Sequence, residues 1–138
     1  METSELVETI GTALAGEPVE FAYLFGSQAR GDAQPHSDVD LAVLFADGLP
    51  ASDRFERFLE LGARLERLLG RHVDVVDLAE APLRLAGRIL TERVVVVGLQ
   101  SAARVRYETD LLPRFLDFDH HARQLDQALL ATMARQAP

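Results

Sequence analysis

Between two apolar runs this chain places Gly26-Ser27, ten intervening residues rich in turn formers, and then Asp38-Val39-Asp40, and no other segment constrains the fold as tightly. Val19 to Phe25, upstream, reads as a strand. Asp38 to Phe45, downstream, alternates: Val39, Leu41, Val43 and Phe45 share one face, while Asp38, Asp40, Ala42 and Leu44 share the other. That strand is buried on one side throughout and on the other only beyond Asp40. Its two carboxylates point the same way, roughly 7 Å apart along the backbone. Like charges this close require a cation or a shifted pKa. Their place where the strand meets a polar loop suits Mg²⁺, which takes a few carboxylates and fills its shell with water and phosphate oxygens.

Gly26-Ser27 supplies the complementary half. A glycine after a strand allows close approach of backbone to a phosphate, and a turn of helix starting at Ser27 would aim its amides and the serine hydroxyl at phosphate oxygens. In-line attack on phosphorus also needs a group that lowers the pKa of the attacking hydroxyl or accepts its proton. Asp74, on a strand from Val73 to Leu78, is the first choice for this third carboxylate, and Asp77 is the alternative. The two lie on opposite faces of their strand, so only one can join Asp38 and Asp40.

The stretch GSQARGDAQPHSDVDLAVLF resembles the Gly-Ser-x10-Asp-x-Asp signature of the nucleotidyltransferase superfamily in its minimal (MNT) form, and HVDVVDL resembles the strand that bears its third carboxylate. YETDLLPRFLDFDHHARQL is similar to the tail of MNT antitoxins encoded beside HEPN toxins. The resemblance implies an ATP-dependent, Mg²⁺-dependent transfer of AMP to a tyrosine of a cognate HEPN ribonuclease toxin, which silences it. It further implies Asp38, Asp40 and Asp74 as metal-binding and catalytic groups, with Gly26, Ser27 and Arg30 holding the triphosphate. Arg30 is equally suited to brace the loop by pairing with Asp32 or Asp38.

Helical spacing predicts helices over residues 4–15 and 82–91, and a long amphipathic helix capped by Ser52, with Phe55, Phe58, Leu59, Gly62, Leu65 and Leu69 on its stripe and Gly70 at its end. Val94 to Val97 reads as a fourth short strand. Beyond Gly98 the chain is helical, interrupted at Pro113, with a stripe at Leu125, Leu129 and Met133 that is more often core than partner surface. The expected fold is α/β: a short, mixed, twisted sheet of about four strands with helices on one face, comprising a nucleotidyltransferase core over 1–98 and a C-terminal helical extension over 99–138. The extension would pack on the core or on a partner.

Composition narrows the chemistry. The 138 residues suit one domain. All 14 basic residues are arginine, so no P-loop or Schiff-base lysine exists, and the absence of cysteine removes thiolate nucleophiles and cysteine-zinc sites. With 22 acidic residues the net charge is −8, the wrong sign for binding nucleic acid through its phosphates. No apolar run is long enough for a membrane span and no signal pattern opens the chain, which reads as cytoplasmic. His36 reads as a surface loop residue and His72 as structural. Arg114 to His120 matches the arginine-to-histidine spacing of HEPN ribonucleases only by accident, and His121 lies beside it in the tail. Two rivals to the antitoxin reading stand: a small-molecule nucleotidyltransferase of the aminoglycoside type, and an antitoxin that neutralises by occlusion alone.

Overall fold

A computed structural model describes residues 2–136. Five helices and four strands follow one another: α1 (Thr3–Leu14), β1 (Val19–Phe25), α2 (Ser27–Arg30), β2 (Val39–Phe45), α3 (Ala51–Leu69), β3 (Val73–Asp77), α4 (Leu83–Glu92), β4 (Val94–Val97) and α5 (Ala102–Gln136). The strands form one mixed sheet in the order β3-β2-β1-β4. β1 runs antiparallel to β2 and β4, whereas β2 and β3 are parallel, joined by the long crossover through α3. This topology gathers the end of β1 and the beginnings of β2, β3 and β4 at one end of the sheet.

Alternation along β2 sorts the core into two layers, as its sequence predicts. Val39, Leu41, Val43 and Phe45 pack with Ala22 and Leu24 of β1 under α1 (Leu6, Ile10, Leu14) and α3 (Leu61, Leu65). On the other face Ala42 joins Phe21 and Tyr23 beneath α4 (Ala86, Ile89, Leu90) and Leu111 of α5. The expected α/β class and mixed four-stranded sheet are present, but helices lie on both faces rather than one. Burial of Phe21 and Tyr23 requires this, since β1 is apolar on both sides.

Three local expectations are corrected. α3 starts at Ala51 after Pro50, not at a Ser52 cap; the Pro50 carbonyl accepts from the Arg54 amide at 2.9 Å. Its buried residues are Leu61 and Leu65, while Phe55 and Leu59 are 61% and 54% exposed. These two sit more than roughly 100° round the helix from Leu61, on the flank beside β3, the sheet's edge strand. Pro113 does not interrupt α5. It withdraws one donor from the carbonyl of Thr109, an exposed residue, while Leu111 and Phe115 on either side of the proline are buried.

The first half of α5 is fastened by packing and by charge. The ring of Phe115 lies directly on Gly87, where any Cβ would collide with it. Glu108 accepts from the Tyr23 hydroxyl at 2.9 Å and pairs with Arg93 at 2.6 Å and Arg104 at 2.9 Å. Burial foremost, and then Glu108, push the Tyr23 phenol well above its ordinary range. Further along, the stripe read as core is open instead: Leu125, Leu129 and Met133 are 72%, 60% and 57% exposed. Among the described residues no helix is long and apolar enough to cross a membrane.

Candidate active site

The carboxylates lie at the sheet end where four elements converge. Phe25 pairs with Asp40 across the antiparallel β1–β2 ladder, and Asp40 pairs with Asp74 across the parallel β2–β3 ladder. Parallel neighbours in register present side chains on the same face, so Asp40 and Asp74 point together, and Asp38 joins them by parity. Asp77 is on the other face. Its carboxylate pairs with Arg54 of α3 at 2.9 Å and accepts from the Ala79 amide at 3.0 Å.

Gly26 turns the chain out of β1 with φ +73° and ψ −156°, a conformation essentially confined to glycine. A Cβ there would run into the Asp40 carboxylate. One turn of helix, α2, follows as the sequence predicts, with the Gly26 carbonyl accepting from Ala29 and Arg30 at 3.1 and 3.0 Å. The loop then returns to Asp38 around Gln28, which is 4% exposed. Its Nε2 donates to the Ser37 carbonyl at 3.3 Å and its own carbonyl accepts from the Thr3 hydroxyl at 2.8 Å. The polar loop is therefore pinned near its start to α1, and Gln28 ties that start to Ser37 at the loop's end.

Arg30 pairs with Asp32 at 3.2 Å and with Glu92 at 3.1 Å, not with Asp38. Glu92, the last residue of α4, also accepts the Gly26 amide at 3.1 Å. No spacing in the sequence announces Glu92, which reaches the loop across 66 positions. His72 likewise belongs to this site. Its Nε2 lies 2.8 Å from Asp74 and its Nδ1 2.8 Å from Glu66. Period two from Asp74 was the available signal, because residues 72 and 74 share a face at the start of β3. His36 is exposed in the loop, and His120 and His121 lie on the exposed part of α5. Arg114 there pairs with Asp110 within the helix.

Burial, followed by the charges of Asp74, Asp38 and Glu92, raises the Asp40 pKa, with Arg30 opposing. The hydrogen bond and charge of Asp74 raise that of His72. The donor set fits a divalent cation: Asp38, His72 and Asp74 each offer an atom within 4.8 Å of the others. Asp40, beside them, is a carboxylate whose ionisation such a charge would relieve. Oxygen donors at this density suit Mg²⁺ or Mn²⁺.

Residues 8–101 match the family described as Polymerase beta, Nucleotidyltransferase. A protein adenylyltransferase MntA from Shewanella oneidensis is 40% identical over 82 residues, 59% of this chain and 52% of that protein, so the match spans about half of that relative. A protein adenylyltransferase MntA from Thermococcus cleftensis is 38% identical over 101 residues, 70% of this chain and 98% of that one. A crystal structure of a toxin-antitoxin with AMP-PNP superposes with a TM-score of 0.63 at 25% identity, covering 97% of this chain and 99% of the other.

Proposed function

The chain belongs to the polymerase beta nucleotidyltransferase family, and from that premise we propose that it transfers AMP from ATP to a hydroxyl, borne by tyrosine, of a cognate HEPN ribonuclease toxin and so acts as its antitoxin in the cytoplasm. The observation that carries the reading is the in-register pairing of Asp40 with Asp74 beside the Gly26–Arg30 turn. That arrangement sets a cluster of carboxylates against a backbone turn suited to phosphate. The adenylyltransferase relatives and the toxin-antitoxin neighbour support the same assignment.

In the transfer, the tyrosine oxygen attacks the α-phosphorus of ATP. The bond from that phosphorus to the bridging oxygen of the β-phosphate breaks, pyrophosphate leaves with the electron pair, and the tyrosine proton passes to a carboxylate. Asp74, exposed where its ladder partner Asp40 is half-buried, is assigned as that acceptor. Asp38, Asp40 and Asp74 would hold Mg²⁺, which when bound neutralises the triphosphate and stabilises charge developing at phosphorus. Gly26, Ser27 and Arg30 orient the β- and γ-phosphates, and Asp77 is left to its structural pairing with Arg54.

The acceptor is assigned as a protein because apolar positions of α5 remain open for a docked partner, and because similar chains are named protein adenylyltransferases. A net charge of −8 favours a basic partner. Occlusion without chemistry is disfavoured, since carboxylates gathered on one face so that Asp74 and Asp38 raise the pKa of Asp40 would have no use in a pure binder. The test is intact-mass spectrometry of the partner toxin after incubation with this chain, ATP and Mg²⁺, beside an Asp38→Ala/Asp40→Ala control. Added AMP masses absent from the control are expected. An unmodified toxin that the double variant still neutralises would overturn the enzymatic reading in favour of occlusion.

A further inference from the structure

Among the described residues, the carboxylate of Glu92 is the group that grips α2 at both of its ends. Its Oε2 accepts the amide of Gly26, which enters the turn, and its Oε1 pairs with Nη1 of Arg30, which closes it, each at 3.1 Å. The side chain is only 22% exposed, whereas Asp32, the other partner of Arg30, is 61% exposed and sits in the loop itself. Glu92 is in turn held from beneath. Ile89 and Leu90 just before it are buried, and Arg93 just after it pairs with Glu108 of α5. The turn is thereby referenced to the sheet and helices, not merely to its own loop.

This position is electrostatically expensive. Glu92 adds negative charge where Asp38, Asp40 and Asp74 already crowd, and it is among the neighbours that raise the Asp40 pKa. A neutral acceptor could satisfy the Gly26 amide without that repulsion. What a carboxylate adds is the ion pair that holds Arg30 in one place.

Resting on the nucleotidyl-transfer reading, we propose that Glu92 is the positioning residue of the nucleotide loop: it fixes both ends of α2 so that the turn and Arg30 meet the triphosphate already ordered. Ordering paid in advance appears as affinity, because the loop need not lose its freedom when ATP arrives. The interaction persists equally in the ground and transition states, so its loss falls on KM and not on kcat.

Three measurements on the full chain test this. Calorimetric titration with ATP and Mg²⁺, without acceptor, should give a Kd about 10-fold to 100-fold weaker for Glu92→Ala, from the loss of a charge-assisted pair and of loop order. Glu92→Gln, which keeps an oxygen for the Gly26 amide, should recover part of that loss, and it carries the test if the alanine variant folds poorly. In AMP transfer to the partner toxin, KM for ATP should rise in parallel while kcat stays within about threefold. Hydrogen exchange of the peptide covering Gly26–Gly31 should accelerate without nucleotide in the order alanine, glutamine, native. Unchanged affinity together with unchanged exchange overturns the proposal, and so does tighter binding, which would make Glu92 a competitor of the phosphates. Failure of the native chain to bind ATP would overturn the transferase reading itself and this inference with it.

Discussion

Replacing Gly26 by alanine tests how far the site depends on one missing methyl group. The backbone there, at φ +73° and ψ −156°, lies in a region that costs an L-residue about 1–3 kcal/mol. The new Cβ would also meet the Asp40 carboxylate, and displacing a packed group costs a further 1–3 kcal/mol or so. A total near 3 kcal/mol corresponds to a fall in melting temperature of about 10 °C for a chain of this size. Gly31 is the internal control. It too has positive φ, +82°, but a Cβ there meets nothing within 4 Å, so Gly31→Ala should cost only the left-handed penalty of about 1 kcal/mol. Urea unfolding of both variants, with Asp40→Ala and Gly26→Ala/Asp40→Ala closing a double-mutant cycle, separates the contributions. Removing the Asp40 side chain should return the collision energy while leaving the backbone strain, a coupling of about 1 kcal/mol or more. Should Gly26→Ala unfold within about 0.5 kcal/mol of Gly31→Ala, or the coupling be zero, the Asp40 carboxylate does not dictate this glycine.

Asp40→Asn should stabilise the metal-free protein and abolish any rise in melting temperature on adding Mn²⁺, together with AMP transfer. The sign follows from its raised pKa: ionisation is harder in the folded state, so native stability falls as pH climbs from the unfolded value through the folded one, and the asparagine variant should lack that fall. His72 behaves oppositely. Its raised pKa gives stability that is full below about 6.5 and lost as pH passes the folded value, so His72→Gln should flatten the melting curve over that window, read by calorimetry at stepped pH without metal. Pro113→Ala should raise the urea midpoint by the equivalent of about 1–3 kcal/mol, since it restores a helical hydrogen bond in the packed half of α5; no change would mean that this half unfolds separately. Gly87→Val should cost about 3 kcal/mol or more by driving a branched side chain into the Phe115 ring, measured by the same unfolding.

Strand alternation made β2 and its two carboxylates readable, because a period of two depends only on local backbone geometry and survives any tertiary arrangement. The same locality exposed α2, whose start after a glycine is a property of adjacent residues. Where burial depended on a neighbour, pattern misled. Phe55 and Leu59 continue an apolar stripe, but α3 rests beside an edge strand and part of that stripe overhangs it. Leu125, Leu129 and Met133 repeat at helical spacing, yet the sheet ends before α5 does. Pro113 looked like a break because the rule counts a lost hydrogen bond, and the rule says nothing of the core contacts that flank it.

For this protein, then, the order of residues by itself determined the strands, the Gly26-Ser27 turn and the paired Asp38 and Asp40, all of which follow from bonds and sterics within a few residues. Only the tertiary structure decided which carboxylate stands beside them. Parallel register sets Asp74 against Asp40, and Arg54 claims Asp77 on the opposite face. It also brought His72 into the site and carried Glu92 from the end of α4 to the Gly26 amide. Register and crossover are settled by burying both faces of β1 and one face of each helix at once, a condition on the whole chain that no window of sequence contains.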